Sequence, residues 1–236
     1  MIPLADDAPR RGRPLANVLL LLANVAVFLY QLTLPPLEAE QLYLRLGCIP
    51  REVTHLTDTG PSALVPLPLT LITGLFLHGG WVHLIVNMLF LWVFGNGVEA
   101  RFGHLRYTLF FLACGGAASL TQAALHPASN IPVVGASGAV SAVMAAYLVF
   151  YPAARIKTLV FWFVFFQVLR IPVPVFLGAW VAVQFLAGLP SRGGTGGVAW
   201  FAHLGGFAVG LAIALRTRSR KPDRSKRTKR TKRKRK

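Results

Sequence analysis

Acidic residues are scarce in this chain. Only eight of its 236 residues are Asp or Glu (Asp6, Asp7, Glu38, Glu40, Glu52, Asp58, Glu99 and Asp223), and none falls in the middle of a hydrophobic run. Chemistry that needs two carboxylates inside a membrane therefore has no residues to perform it. A proton-coupled transporter, which keeps ionisable groups near the bilayer midplane, is disfavoured on the same ground. No His-Glu-x-x-His motif occurs, and His78, His83 and His203 have no neighbouring carboxylate to complete a catalytic zinc site, so no metal is expected. Cysteine is scarce too. Cys48 falls in a loop and Cys114 in a hydrophobic run, so their expected depths differ and the fold does not depend on a disulfide.

Apolar residues are plentiful. The chain is 54% hydrophobic and 14% charged, with a mean hydropathy of +0.55, a composition outside that of soluble domains. This predicts an all-α polytopic membrane protein. The net charge of +17 points at first to nucleic acid, but it is unevenly spread. Residues 216–236 hold 14 of the 25 Lys and Arg and a single acid, Asp223. The segment has no apolar residue to bury, so it is expected to be a disordered tail that touches anionic lipid, with RNA contact the rival reading.

Apolar runs long enough to cross a ~30 Å hydrocarbon core cover 16–34, 81–98, 106–125, 136–151 and 198–215. The stretch 156–189 is too long for one span and is broken by Arg170, Pro172 and Pro174. It divides into a short interfacial or re-entrant piece at 156–169 and a span at 172–189, giving six helices. Arg10, Arg11 and Arg13, then Arg101 and Arg106, then Arg155, Lys157 and Arg170, then the basic tail, all fall on one side of such a chain. Both termini are thus expected to be cytoplasmic. The expected organisation is a cytoplasmic segment over 1–15, a membrane domain over 16–215 and the basic tail. The run 16–34 is read as an anchor that is kept, because "YQLTLPPLEAE" offers a poor signal-cleavage site. The large loop at 35–80 is expected to pack on the membrane surface.

Three of the spans carry unusual polar residues in their outer parts: His83 and Asn87 in the second, Ser137 in the fourth, and His203 in the sixth. All three spans run outside to inside, so these groups agree in depth. Each residue alone could be helix-packing glue or a satisfied buried polar group. Two stripes of small residues, Gly138, Ala142 and Ala146 on one span and Ala202, Gly206 and Gly210 on another, would let two helices approach closely. A Ser–His hydrogen bond needs that approach.

"HLIVN" in the second span, "GASG" opening the fourth and "AHLGGFAVG" in the sixth, in this order, resemble the rhomboid intramembrane serine proteases. The resemblance covers about 16–215 and implies a six-helix rhomboid-like bundle. It makes Ser137 the nucleophile and His203 the general base. His83, Asn87 and the backbone N–H of Ser137 become the oxyanion donors, with Gly135, Gly138, Ser141, Gly206 and Gly210 shaping the site. "GNGVEARFG" also resembles the family, with Glu99 and Arg101 structural, as is His78. It implies no cofactor, transmembrane protein substrates that unwind before cleavage, entry past the fifth span, and a flexible cap at 190–197. A bacterial inner membrane is the expected location. Two departures stand out. Ser141 occupies a position that is commonly aromatic in the family and packs on the base, and loop 35–80 lacks a tryptophan–arginine pair seen in many relatives. The alternative is a non-proteolytic rhomboid-like protein that binds membrane clients. Such a protein could lose the serine or the histidine without penalty, and this chain has both.

Overall fold

The computed structural model describes residues 1–9, 12–57, 65–162, 165–189 and 198–218. In chain order the elements are β1 (Ile2–Asp6), α1 (Leu15–Thr33), α2 (Pro36–Leu46), α3 (Pro50–His55), α4 (Leu67–Thr73) with a following 3-10 turn (Gly74–Phe76), and α5 (Trp81–Phe102). Then come α6 (His104–Leu125), α7 (Ser137–Phe150), β2 (Arg155–Trp162), β3 (Phe165–Pro172), α8 (Val173–Gly188) and α9 (Trp200–Arg218). Four helices, α1, α5, α6 and α9, are long and apolar enough to cross a membrane, while α7 and α8 are shorter apolar helices. Large apolar side chains such as Leu19, Leu22, Val82, Ile85, Leu105, Leu109, Phe185 and Leu186 stand exposed on the outside of the bundle. So wide an apolar surface suits lipid rather than water. This is a multi-pass membrane protein. The tail beyond Arg218, loop 190–197, Arg10, Arg11 and Asp58 lie outside the described residues.

The centre of the bundle is α7, where every residue from Gly138 to Tyr147 is buried. A helix enclosed all round must present small side chains wherever a neighbour's backbone comes close, and α7 reads Gly-Ala-Val-Ser-Ala-Val-Met-Ala-Ala from 138. Its neighbours are α5, α6, α8 and α9.

The end of α5 holds the bundle together through a carboxylate. Pro14 precedes α1 and offers no side-chain cap. Instead Ala16 N–H and Asn17 N–H donate to the two oxygens of Glu99, at 2.8 and 2.7 Å. The negative group sits where unpaired N–H groups and the helix dipole favour it. Asn17 donates to Leu91 O and Asn96 Oδ1 and accepts from Tyr107, while His104 joins Glu99 from the start of α6. Arg101 lies over the Phe150 ring, 5.7 Å from its centre. The structural parts expected for Glu99 and Arg101 thus take concrete form. Glu99→Gln leaves one buried N–H without an acceptor, which costs on the order of 1–3 kcal/mol. A lowered melting temperature in detergent is the expected result, and an unchanged one would show that the cap does not matter.

The structure corrects the expectation for 156–169. Most of that stretch is paired β-strand rather than helix, so the fold is mostly helical rather than all-α. β2 pairs antiparallel with β3, from Arg155 opposite Pro172 to Trp162 opposite Phe165, and β1 pairs with the other edge of β2. Residues 155–158 alternate exposed and buried with a period of two, and the strands are rich in β-branched and aromatic residues, which favour a pleated surface. The amino-terminal residues supply the third strand. Arg155 N–H donates to Asp7 Oδ1 at 2.7 Å, and Tyr147 donates to Asp6.

The loop expected at 35–80 contains α2, α3 and α4, and it packs against the bundle. Gln31 and Tyr43 both donate to the carbonyl of His78, and His78 N–H donates back to Gln31 Oε1. Cys48 exchanges two main-chain hydrogen bonds with Val133, and Gly135 N–H donates to Gly74 O. The loop therefore holds the strand-like segment that leads into Ser137. Both cysteines are buried and free, and burial, aided by Glu52, pushes the Cys48 thiol up to about 12.

Candidate active site

Two close backbone approaches build the site. A side chain at Gly206 would place its first carbon 2.1 Å from the carbonyl oxygen of Gly138, and one at Gly210 would come within 2.5 Å of the Ala142 main chain. At Gly138 it would meet Ala118 Cβ at 2.5 Å. Helices α7 and α9 therefore touch backbone to backbone along the two stripes of small residues. That contact sets His203, three residues before Gly206, opposite Ser137 at the start of α7. His203 Nε2 lies 2.8 Å from Ser137 Oγ.

Gly135 meets two demands. Its φ of +106° is a conformation L side chains rarely adopt, and a Cβ there would lie 2.5 Å from His83 Nε2. The turn it makes brings His83 and Asn87, one helical turn apart on α5, against the amino-terminal end of α7. His83 Nδ1 accepts a long hydrogen bond from Gly79 N–H at 3.4 Å, which puts the ring proton on Nε2, the nitrogen facing Gly135. Asn87 is buried, and its Nδ2 has no hydrogen-bond partner among the described residues. Ser137 is the first residue of α7, where main-chain N–H groups have no acceptor within the helix. Donors of His83, Asn87 and Ser137 that meet no acceptor among the described residues thus border one space.

That space is a cleft of about 730 Å³, lined among others by His83, Asn87, Ser137, His203, Val134 and Trp200. At one wall Gln122 Oε1 accepts from Ala202 N–H and its amide nitrogen meets His126, tying α6 to α9. The His78 ring stands edge-on to His83 at 5.0 Å. Ser141 is buried, but its hydroxyl donates back to the Ser137 carbonyl at 2.7 Å, so it braces α7 and does not reach the imidazole.

Ser141 therefore does not orient His203. The structure brings Gln184 of α8 to it, with Oε1 2.6 Å from His203 Nδ1. Trp180 and Trp200 flank the ring, each with its centre 6.1 Å away. The signal was present in the sequence, since Gln184 is a polar residue isolated in the apolar run "AWVAVQFLAG" and such residues are costly in a membrane without a partner.

Fold and site together define a multi-pass helical membrane protein with a serine–histidine pair at the base of a cleft. The chain belongs to the rhomboid family, with the rhomboid domain matching residues 68–220. It is 37% identical over 139 residues to RHOMBOID-like protein 4 of Arabidopsis thaliana, covering 58% of this chain and 31% of that protein. Rhomboid protein 1, mitochondrial, of Saccharomyces cerevisiae is 30% identical over 152 residues, 61% of this chain and 40% of that one. Rhomboid protease GluP of Bacillus subtilis is 38% identical over 78 residues, 33% of this chain and 15% of the protease. The chain thus spans well under half the length of these relatives.

Proposed function

We propose that this protein is an intramembrane serine endopeptidase that cleaves transmembrane segments of other membrane proteins. The observation that carries the reading is the 2.8 Å contact between Ser137 Oγ and His203 Nε2 beneath an open cleft. A serine hydroxyl is a poor nucleophile until a base takes its proton, and a neutral imidazole can do so near pH 7. Ser137 attacks the scissile carbonyl as His203 Nε2 accepts the proton. The negative oxygen of the tetrahedral intermediate is held by His83 Nε2–H, Asn87 Nδ2–H and Ser137 N–H. His203 then gives its proton to the leaving amine, and water, deprotonated by the same nitrogen, releases the acyl group. The reaction written this way draws on these side chains alone and needs no metal or organic cofactor.

In this reading α7 and α8 complete a set of six spans, with both termini cytoplasmic and the cleft opening on the opposite side. A helix of 14 residues is only about 21 Å long, so α7 begins below the far surface of a ~30 Å core. Ser137 then sits within the membrane yet beneath a cleft that water can fill. A client helix hides its carbonyls in its own hydrogen bonds and must unwind first. Clients with small or helix-breaking residues near that surface are the expected substrates, entering past α8. The basic tail engages anionic lipid on the cytoplasmic face.

A fluorophosphonate probe tests the reading directly. It should attach to Ser137 in the wild type and not in Ser137→Ala, and only weakly in His203→Ala; probe found elsewhere on the chain, or on the alanine variant equally, would sink it. Asn87→Ala should lower kcat by about 10²–10³ with KM little changed, the cost of losing one oxyanion donor. An unchanged kcat would remove Asn87 from the oxyanion site.

A further inference from the structure

The second contact of His203 raises a question that a serine–histidine pair leaves open: which ring nitrogen carries the proton. A neutral imidazole donates through one nitrogen and accepts through the other, and its partners decide which. The pair works only if Nε2 accepts from Ser137, so the proton must sit on Nδ1. Gln184 Oε1, at 2.6 Å, is an acceptor facing that nitrogen. With no acceptor there, the proton can move to Nε2 and donate to Ser137 Oγ, which removes the base. Ser141 cannot substitute, because its hydroxyl is committed to the Ser137 carbonyl.

Gln184 also ties this choice to a helix. The beginning of α8 is anchored by buried Val173, Phe176 and Leu177, with Phe176 against Phe90 and Phe94. Towards its other end the buried residues are Gln184 and Gly188, while Val183, Phe185 and Leu186 are exposed. Gly188 lies against Trp200, where a Cβ would be 3.3 Å away. That half of α8 is seated on α9 through Trp180 against His203 and Phe207, Gly188 against Trp200, and the hydrogen bond between Gln184 and the base.

We propose that Gln184 is a positioning residue whose Oε1 accepts a hydrogen bond from His203 Nδ1–H, fixes the tautomer in which Nε2 can take the Ser137 proton, and so makes the pair competent only while α8 is seated. The inference rests on the protease reading of Ser137 and His203. Gln184 acts through His203 and touches no reacting atom. A buried glutamine serving only as glue between helices would affect stability and leave the imidazole unchanged, which separates the two roles.

The test is nitrogen NMR of the full chain with labelled histidine, in lipid nanodiscs at neutral pH, with His203 assigned by its loss in His203→Ala. Turnover of a reporter transmembrane segment is measured on the same samples. The wild type should carry the His203 proton on Nδ1. Gln184→Leu should shift it towards Nε2 and lower kcat by about 10- to 100-fold, below the 10²–10⁴ that a whole general base supplies, with KM within about 3-fold. Gln184→Glu, whose carboxylate can accept the same bond, should restore both. A wild type that cuts with the proton on Nε2 overturns the proposal alone, and needs no variant to fold. Gln184→Leu with the wild-type tautomer or an unchanged kcat overturns it too. A wild type with the expected tautomer that neither cuts nor takes up the serine probe overturns the protease reading, and the proposal with it.

Discussion

Ser137→Ala and His203→Ala should each reduce turnover by about 10⁴-fold or more, while both proteins stay folded and melt near the wild-type temperature. The serine and the imidazole act as one unit, since the hydroxyl reacts only as the ring accepts its proton. Removing either should therefore cost nearly as much as removing both, and the double variant should be no slower than the slower single one. A 10⁴-fold loss corresponds to about 5 kcal/mol of transition-state stabilisation. Reporter cleavage by the three variants measures this non-additivity. Losses that add up as independent factors would show that the two residues do not work on the same proton.

The second large effect lies in the backbone. Gly206→Ala should destabilise the protein and abolish turnover, although it adds a single methyl group. The new carbon would stand 2.1 Å from the Gly138 carbonyl oxygen and 2.9 Å from its carbon, both main-chain atoms of a fully enclosed helix that cannot turn aside. Relief requires α7 and α9 to separate, which lengthens the Ser137–His203 contact. Overpacking of this kind typically costs about 1–3 kcal/mol, and a misplacement of about 1 Å can cost 10²-fold in rate on its own. Gly178 on α8 is the matched control, because a side chain there meets nothing within 4 Å. Gly178→Ala should be neutral or slightly stabilising. Melting and turnover of the two variants decide the matter. A Gly206→Ala protein that behaves like Gly178→Ala would mean the close approach does not position the pair.

These effects follow from features that a single chain displays openly. A stripe of small residues every fourth position announces a close helix contact, and the structure finds it between the two segments that carry Ser137 and His203. Apolar runs are equally local, which is why all six expected spans coincide with helices, although α7 and α8 are short. What stayed hidden depends on partners far along the chain. The hairpin at 155–172 takes its third strand from Ile2–Asp6, so no window around residue 160 contains the reason for it. The cap on α1 comes from Glu99, 83 residues beyond Ala16. Gln184 was visible as an isolated polar residue, but its partner is fixed only when α8 seats against α9. Ser141 looked like a gap beside the base, yet it is used for bracing α7 while Gln184 and Trp180 of α8 and Trp200 of α9 meet the ring.

The most direct measurement is cleavage in a bilayer. The purified chain would be reconstituted into liposomes with a reporter transmembrane segment carrying a helix-breaking pair near one membrane surface, and the products located by mass spectrometry. The wild type should cut at one or two adjacent bonds beside that pair, at the depth where α7 begins, and Ser137→Ala should leave the reporter whole. Equal cutting by the two proteins, or cutting confined to the reporter's water-exposed ends, would contradict intramembrane proteolysis by this site.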